Sequence, residues 1–107
     1  MARRNATQND RFSFVKLVWA QLAREDRKAI REYIAIDNPS AALDLDELLS
    51  EKATRLVDHP ELGRLGRMQG TRELIAHRNY LLIYDIAGDS VRVLRVLHAS
   101  RQWPPVR

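Results

Sequence analysis

The last third of the chain, from Gly70 to Pro105, constrains the fold most tightly. It runs Gly-Thr-Arg-Glu-Leu-Ile-Ala-His, then Tyr80-Leu-Leu-Ile-Tyr-Asp-Ile, then Val91-Arg-Val-Leu-Arg-Val-Leu-His-Ala-Ser-Arg-Gln-Trp-Pro-Pro. Period-two alternation of apolar and polar residues predicts strands over Arg72–His77, Asn79–Ala87 and Ser90–Ala99. Their connections are so short that consecutive strands must pair as hairpins, and Gly88-Asp89 has the composition of a two-residue hairpin turn. In the middle strand Leu82, Tyr84 and Ile86 alternate with Leu81, Ile83 and Asp85. Apolar side chains on both faces predict a central strand. Strict alternation in the last strand puts Val91, Val93, Arg95 and Leu97 on one face and Arg92, Leu94, Val96 and His98 on the other.

Ahead of this meander, Phe14 to Trp19 is rich in β-branched and aromatic residues and predicts a first strand. Leu22, Asp26, Ala29, Ile30, Tyr33 and Ile34 then recur at mostly helical spacing, as do Ala41, Leu45, Leu48, Leu49, Ala53 and Leu56. Between the two stripes stands Asp37-Asn38-Pro39. Proline ends the first helix by restricting its predecessor, Asn38 caps the second, and Pro39 fits its first turn. So short a link makes the pair an antiparallel hairpin. The expected fold is α+β: an N-terminal strand, a two-helix antiparallel hairpin, then a three-stranded antiparallel meander completing one sheet. Two helices cover one face of such a sheet, leaving the other open for Arg95 or Arg92. With 107 residues the chain fits one domain, expected over 13–107 behind a flexible arm over 1–12.

Charge sets the expectations for function. Of 18 Lys/Arg and 14 Asp/Glu, the first 59 residues hold equal numbers, so the net charge of +4 falls entirely on residues 60–107. Every basic residue there is an arginine, at 64, 67, 72, 78, 92, 95, 101 and 107. Arginine grips phosphate or carboxylate through a planar fork, which points to a polyanionic ligand or an acidic partner. A connector, Leu62-Gly-Arg-Leu-Gly-Arg-Met-Gln-Gly70, carries two of these arginines among three glycines. Its backbone N–H groups are candidates for an anion-binding nest, although it lacks the Gly-Lys-Ser/Thr ending of a P-loop. Cysteine is absent, which removes thiol catalysis and zinc-thiolate sites and fits a cytoplasmic location. Histidines 59, 77 and 98 have no metal-ligand spacing, so neither metal nor cofactor is expected. No apolar run reaches the ~20 residues needed to span a bilayer, and no apolar segment follows the polar N-terminus as in a secretory signal.

The ordered set Asn38-Pro39 with Ala41-Ala42, Gly63-Arg64…Gly66-Arg67, Gly70-Thr-Arg-Glu-Leu, Tyr80-Leu-Leu-Ile-Tyr and Arg95-Val-Leu-His-Ala-Ser-Arg-Gln-Trp resembles the RelE/ParE superfamily of bacterial type II toxins. The likeness covers about residues 14 to 104. It implies a growth-inhibiting toxin neutralised by a cognate antitoxin that is acidic and partly disordered when free. One branch of the superfamily consists of ribosome-dependent mRNA endoribonucleases. Their chemistry, attack of a ribose 2′-hydroxyl on the next phosphate, needs a proton shuttle and cations on the phosphate. In that branch His98, Arg95 and Arg101 would be the catalytic residues. The other branch, ParE-like, inhibits DNA gyrase by contact and carries no catalytic set. Arg64, Arg67, Arg72, Arg95, Arg101 and Trp103 would then hold the target, or in the nuclease reading the phosphates. The Arg-Val-Leu-His run at 95–98 resembles the ParE-like branch more closely. Residues 60–107 also contain no lysine, and Glu61 and Glu73 are their only glutamates.

Overall fold

The computed structural model describes residues 16–101, 103 and 104. The expected arm over 1–12, the beginning of the first strand at Phe14, and Pro105 lie outside the described residues. Within them run β1 (Lys16–Trp19), α1 (Gln21–Ala35), α2 (Pro39–Asp58), β2 (Arg64–Leu65), β3 (Arg72–His77), β4 (Tyr80–Ala87) and β5 (Ser90–His98). The strands form one sheet in the order β1-β5-β4-β3-β2. β1 is parallel to β5, and all other pairs are antiparallel. The expected meander is therefore present with β4 in the centre, and the first strand pairs with the last. Two-residue β2 adds an edge strand where the sequence suggested only a loop; it is too short to show alternation.

The helices form where the punctuation placed them. Asn38 caps α2 by accepting the Ala41 N–H at 3.0 Å, and Pro39 opens the helix. Both helices lie on one face of the sheet, burying Ala23, Leu45, Leu49 and Ala53 against Ala76, Leu82, Val93 and Val96. Leu56 joins Tyr84 and Val91 in an adjoining cluster. The stripe of α1 is rotated from the expected one. Ala23 is fully buried while Leu22, Ala29 and Tyr33 are exposed. A small side chain brings the start of α1 close to the sheet, and Arg27 turns inward with it. Its guanidinium forms a bidentate pair with Asp46 of α2 at 2.9 and 3.0 Å and lies 4.3 Å over the Trp19 ring.

Strict alternation does not hold in β5. Ile83 stands opposite Arg95 and Tyr84 opposite Val93, so Leu94 has no partner and forms a bulge. The bulge reverses the alternation. Val91 and Val93 share the helix-covered face with Val96 and His98, while Arg92, Arg95 and Leu97 lie on the second face. Nor is that second face fully open. Leu81, Ile83 and Leu97 are buried there beneath Trp103.

Candidate functional site

The Gly-Arg connector binds an anion, and the anion belongs to the chain itself. Glu73 faces Arg64 across the β2–β3 ladder and is 2% exposed. Its carboxylate accepts from Arg64 at 3.1 Å, from the Arg67 backbone N–H at 3.0 Å, and twice from the Arg67 guanidinium at 3.3 Å. Burial pushes the Glu73 carboxyl up, but the Arg67 backbone N–H and the two guanidiniums outweigh it, and its pKa falls below the ordinary glutamate value. Both glycines of the repeated Gly-Arg are needed for close packing rather than for unusual dihedrals. A Cβ on Gly63 would lie 2.8 Å from the Tyr84 hydroxyl and 2.9 Å from the Glu73 carbonyl oxygen; one on Gly66 would lie 2.9 Å from the Thr71 carbonyl oxygen.

Tyr84 anchors the connector from beneath. Its buried hydroxyl donates to the Pro60 carbonyl at 2.6 Å and accepts the Gly63 N–H at 2.9 Å. Burial raises its phenol pKa against the opposing effect of the Gly63 N–H. Arg72 closes the same corner by donating to the carbonyls of Gly63 and Glu61 at 2.7 and 3.3 Å. It is therefore spent on the connector's backbone, on the helix side of the sheet, away from Arg64 and Arg67.

Arg95 is held just as firmly. β1 ends opposite Val93, and Asp26 of α1 takes over the exposed edge of β5 beyond that point. One Asp26 oxygen accepts from Arg95 Nε at 2.8 Å and from the Val96 N–H at 2.9 Å; the other accepts from Arg95 Nη2 at 3.0 Å. The Asp26 hydrogen bonds raise the Arg95 pKa further. Trp103 lies 5.8 Å from the same guanidinium. On the second face Arg92 forms its own bidentate pair with Asp85, at 2.8 and 2.6 Å.

His98 leaves β5 on the face opposite Arg92 and Arg95. It lies on the helix side opposite Tyr80, whose ring it meets edge-on at 5.2 Å. Its Nδ1 accepts the Ser100 N–H at 3.1 Å and stands 2.7 Å from the Ser100 hydroxyl. With Nδ1 taken up by Ser100, Nε2 is the ring nitrogen left for other partners. Arg101 is exposed nearby, without an ion pair among the described residues.

The structure thus brings Arg64 and Arg67 together around Glu73, and Arg95 together with Trp103. His98 and Arg101 line one groove with Asp26, the partner of Arg95, while His98 and Arg95 leave β5 on opposite faces. Sequence reasoning missed Glu73 and Asp26 as the holders of the arginines. Asp26 did leave a signal, as an acid inside an otherwise apolar stripe. Among the described residues no group of acids and histidines is arranged to hold a metal ion.

Comparison with known proteins places these features in a family. A family model described as "ParE toxin of type II toxin-antitoxin system, parDE" matches residues 17–103. The protein Y4kP of Sinorhizobium fredii is 36% identical over 92 residues, spanning 85% of this chain and 95% of its own. Toxin RelE2 of Caulobacter vibrioides is 36% identical over 86 residues, or 80% of this chain and 97% of its own. A solved chain of the chromosomal ParDE system from P. aeruginosa superposes with a TM-score of 0.73 over 80% of this chain and 97% of that one. At 22% identity this likeness speaks for the fold.

Proposed function

The chain belongs to the ParE toxin family of type II toxin-antitoxin systems, and from that premise we propose that it inhibits DNA gyrase by protein–protein contact instead of cutting RNA. As a toxin of such a system it has a cognate antitoxin as partner. The antitoxin this reading calls for is acidic and partly disordered when free, matching a basic C-terminal half.

The observation that carries the reading is the separation of His98 from Arg95 on opposite faces of β5. Phosphodiester cleavage by a 2′-hydroxyl requires a base and phosphate-holding cations around one reacting centre. His98 has Nδ1 taken up by Ser100, and Arg64, Arg67, Arg92 and Arg95 are engaged by internal carboxylates. Such fixed, half-exposed guanidiniums suit a protein interface, where pre-ordered arginines lose little entropy on binding. Arg64, Arg67 and Arg92, with side chains 57%, 46% and 47% exposed, lie on the same second face as the exposed Ile75 and form the contact surface in this reading.

His98→Gln tests the choice. A contact-acting toxin keeps its ability to arrest growth in this variant, and purified protein still blocks supercoiling by gyrase. Loss of growth arrest in a folded His98→Gln chain, together with mRNA cleavage by the wild type on ribosomes, would replace this reading with the nuclease.

A further inference from the structure

Arg24, Arg27 and Arg31 recur at intervals of three and four along α1, which sets them on one face of the helix, and they line a recess of about 220 Å³. The fold fixes each guanidinium. Arg27 is held by Asp46 of α2 at 2.9 and 3.0 Å and lies 4.3 Å over the Trp19 ring. Arg24 donates through Nη1 to the Trp19 carbonyl, and Nη1 of Arg31 stands 3.3 Å from the Asp46 carboxylate. Asp46 is the one carboxylate within ion-pair distance of the three among the described residues. A single negative charge therefore faces three positive ones, and Lys28 adds another cation one turn beyond Arg24. Like charges three and four residues apart on a helix repel each other, a cost that an anion in the recess would relieve. Nor are the guanidinium forks used up. Nε and Nη2 of Arg24 and of Arg31, and Nη1 of Arg27, have no acceptor among the described residues.

We propose that this recess binds the terminal phosphoryl group of a small soluble phosphate compound, whose oxygens accept from the unspent N–H groups of Arg24, Arg27 and Arg31. Subtracting Asp46 from the three arginines leaves two positive charges. A terminal phosphoryl group carries about −1.5 to −2 at pH 7 and matches them, whereas a carboxylate brings a single charge. Guanidinium forks also fit phosphate oxygens in pairs, and donors already held in place lose little freedom on binding. Among the described residues no ring lines the recess, and the Trp19 ring already lies under Arg27. The phosphoryl group, and not an attached base, is what these residues read. The size agrees, since pockets that enclose a whole drug-sized ligand begin at about 300 Å³. The recess belongs to the helical layer, and the second face assigned to gyrase takes no part in it.

Calorimetric titration of the full chain with pyrophosphate, at an ionic strength held constant with sodium chloride, tests the proposal. No gyrase is present, so the two readings fail independently. One saturable site is expected, together with a rise in melting temperature that chloride at the same ionic strength does not give. Arg24→Gln/Arg31→Gln should weaken binding at least about tenfold through lost charge-assisted hydrogen bonds, with circular dichroism showing the variant folded. Arg55→Gln/Arg78→Gln removes the same charge from exposed positions on α2 and in the β3–β4 turn, and should bind like the wild type. Equal losses in the two double variants would overturn the site as non-specific attraction. Absence of both heat and melting shift at millimolar pyrophosphate would overturn it outright. Succinate binding as tightly as pyrophosphate would reassign the recess to carboxylates, and a phosphoserine peptide binding far more tightly would reassign it to a modified protein partner.

Discussion

Glu73 lies under Arg64 and Arg67 with 1% of its side chain exposed, and its removal should release the connector that covers it. Glu73→Ala leaves the Arg67 N–H and a pair of guanidiniums without their acceptor. It should cost about 1–3 kcal/mol in urea unfolding, the range for orphaned buried polar groups. The pH dependence follows from the depressed Glu73 pKa. Its contribution is complete above the unfolded value of about 4.3 and is lost as pH falls through the lower folded value. Glu73→Gln should therefore flatten the acid side of the stability profile; an unchanged acid limb would contradict this role. Tyr84→Phe strands the Gly63 N–H and the Pro60 carbonyl, and should lower stability by about 1–3 kcal/mol in the same assay.

At the scale of elements, α1 and β5 are clasped by Asp26. Asp26→Ala leaves Arg95 largely buried and unpaired and the Val96 N–H unsatisfied, for an expected loss of about 2–4 kcal/mol by thermal or urea melting. Replacing both partners, Asp26→Leu with Arg95→Met, should recover part of that loss, because an apolar pair leaves no guanidinium stranded. This clasp marks where the sequence stops being legible. Alternation of apolar side chains exposed β3, β4 and β5 and the central place of β4. Asn38-Pro39 set the helix boundary. The bulge at Leu94 left no trace, since one unpaired residue changes register without changing composition. The true stripe of α1 was hidden because Ala23 contributes little hydrophobicity beside Leu22, although it packs closer. The arginines were visible as charges, but their partners were not. Arg95 and Asp26 are 69 residues apart, and only the fold brings them together.

Over the whole molecule, the helices occupy one side of the sheet and the second side is left to guanidiniums, Ile75 and the Trp103-covered cluster. Internal carboxylates hold those guanidiniums in place, which suits recognition of a folded target more than turnover of a substrate. The most direct test is pulse-labelling of DNA and protein synthesis in the first minutes after this chain is induced without its antitoxin in bacteria. The account predicts that DNA synthesis stops first and DNA-damage responses rise while translation continues. Translation stopping first, with DNA synthesis still running, would contradict gyrase as the target and move the site of action to the ribosome.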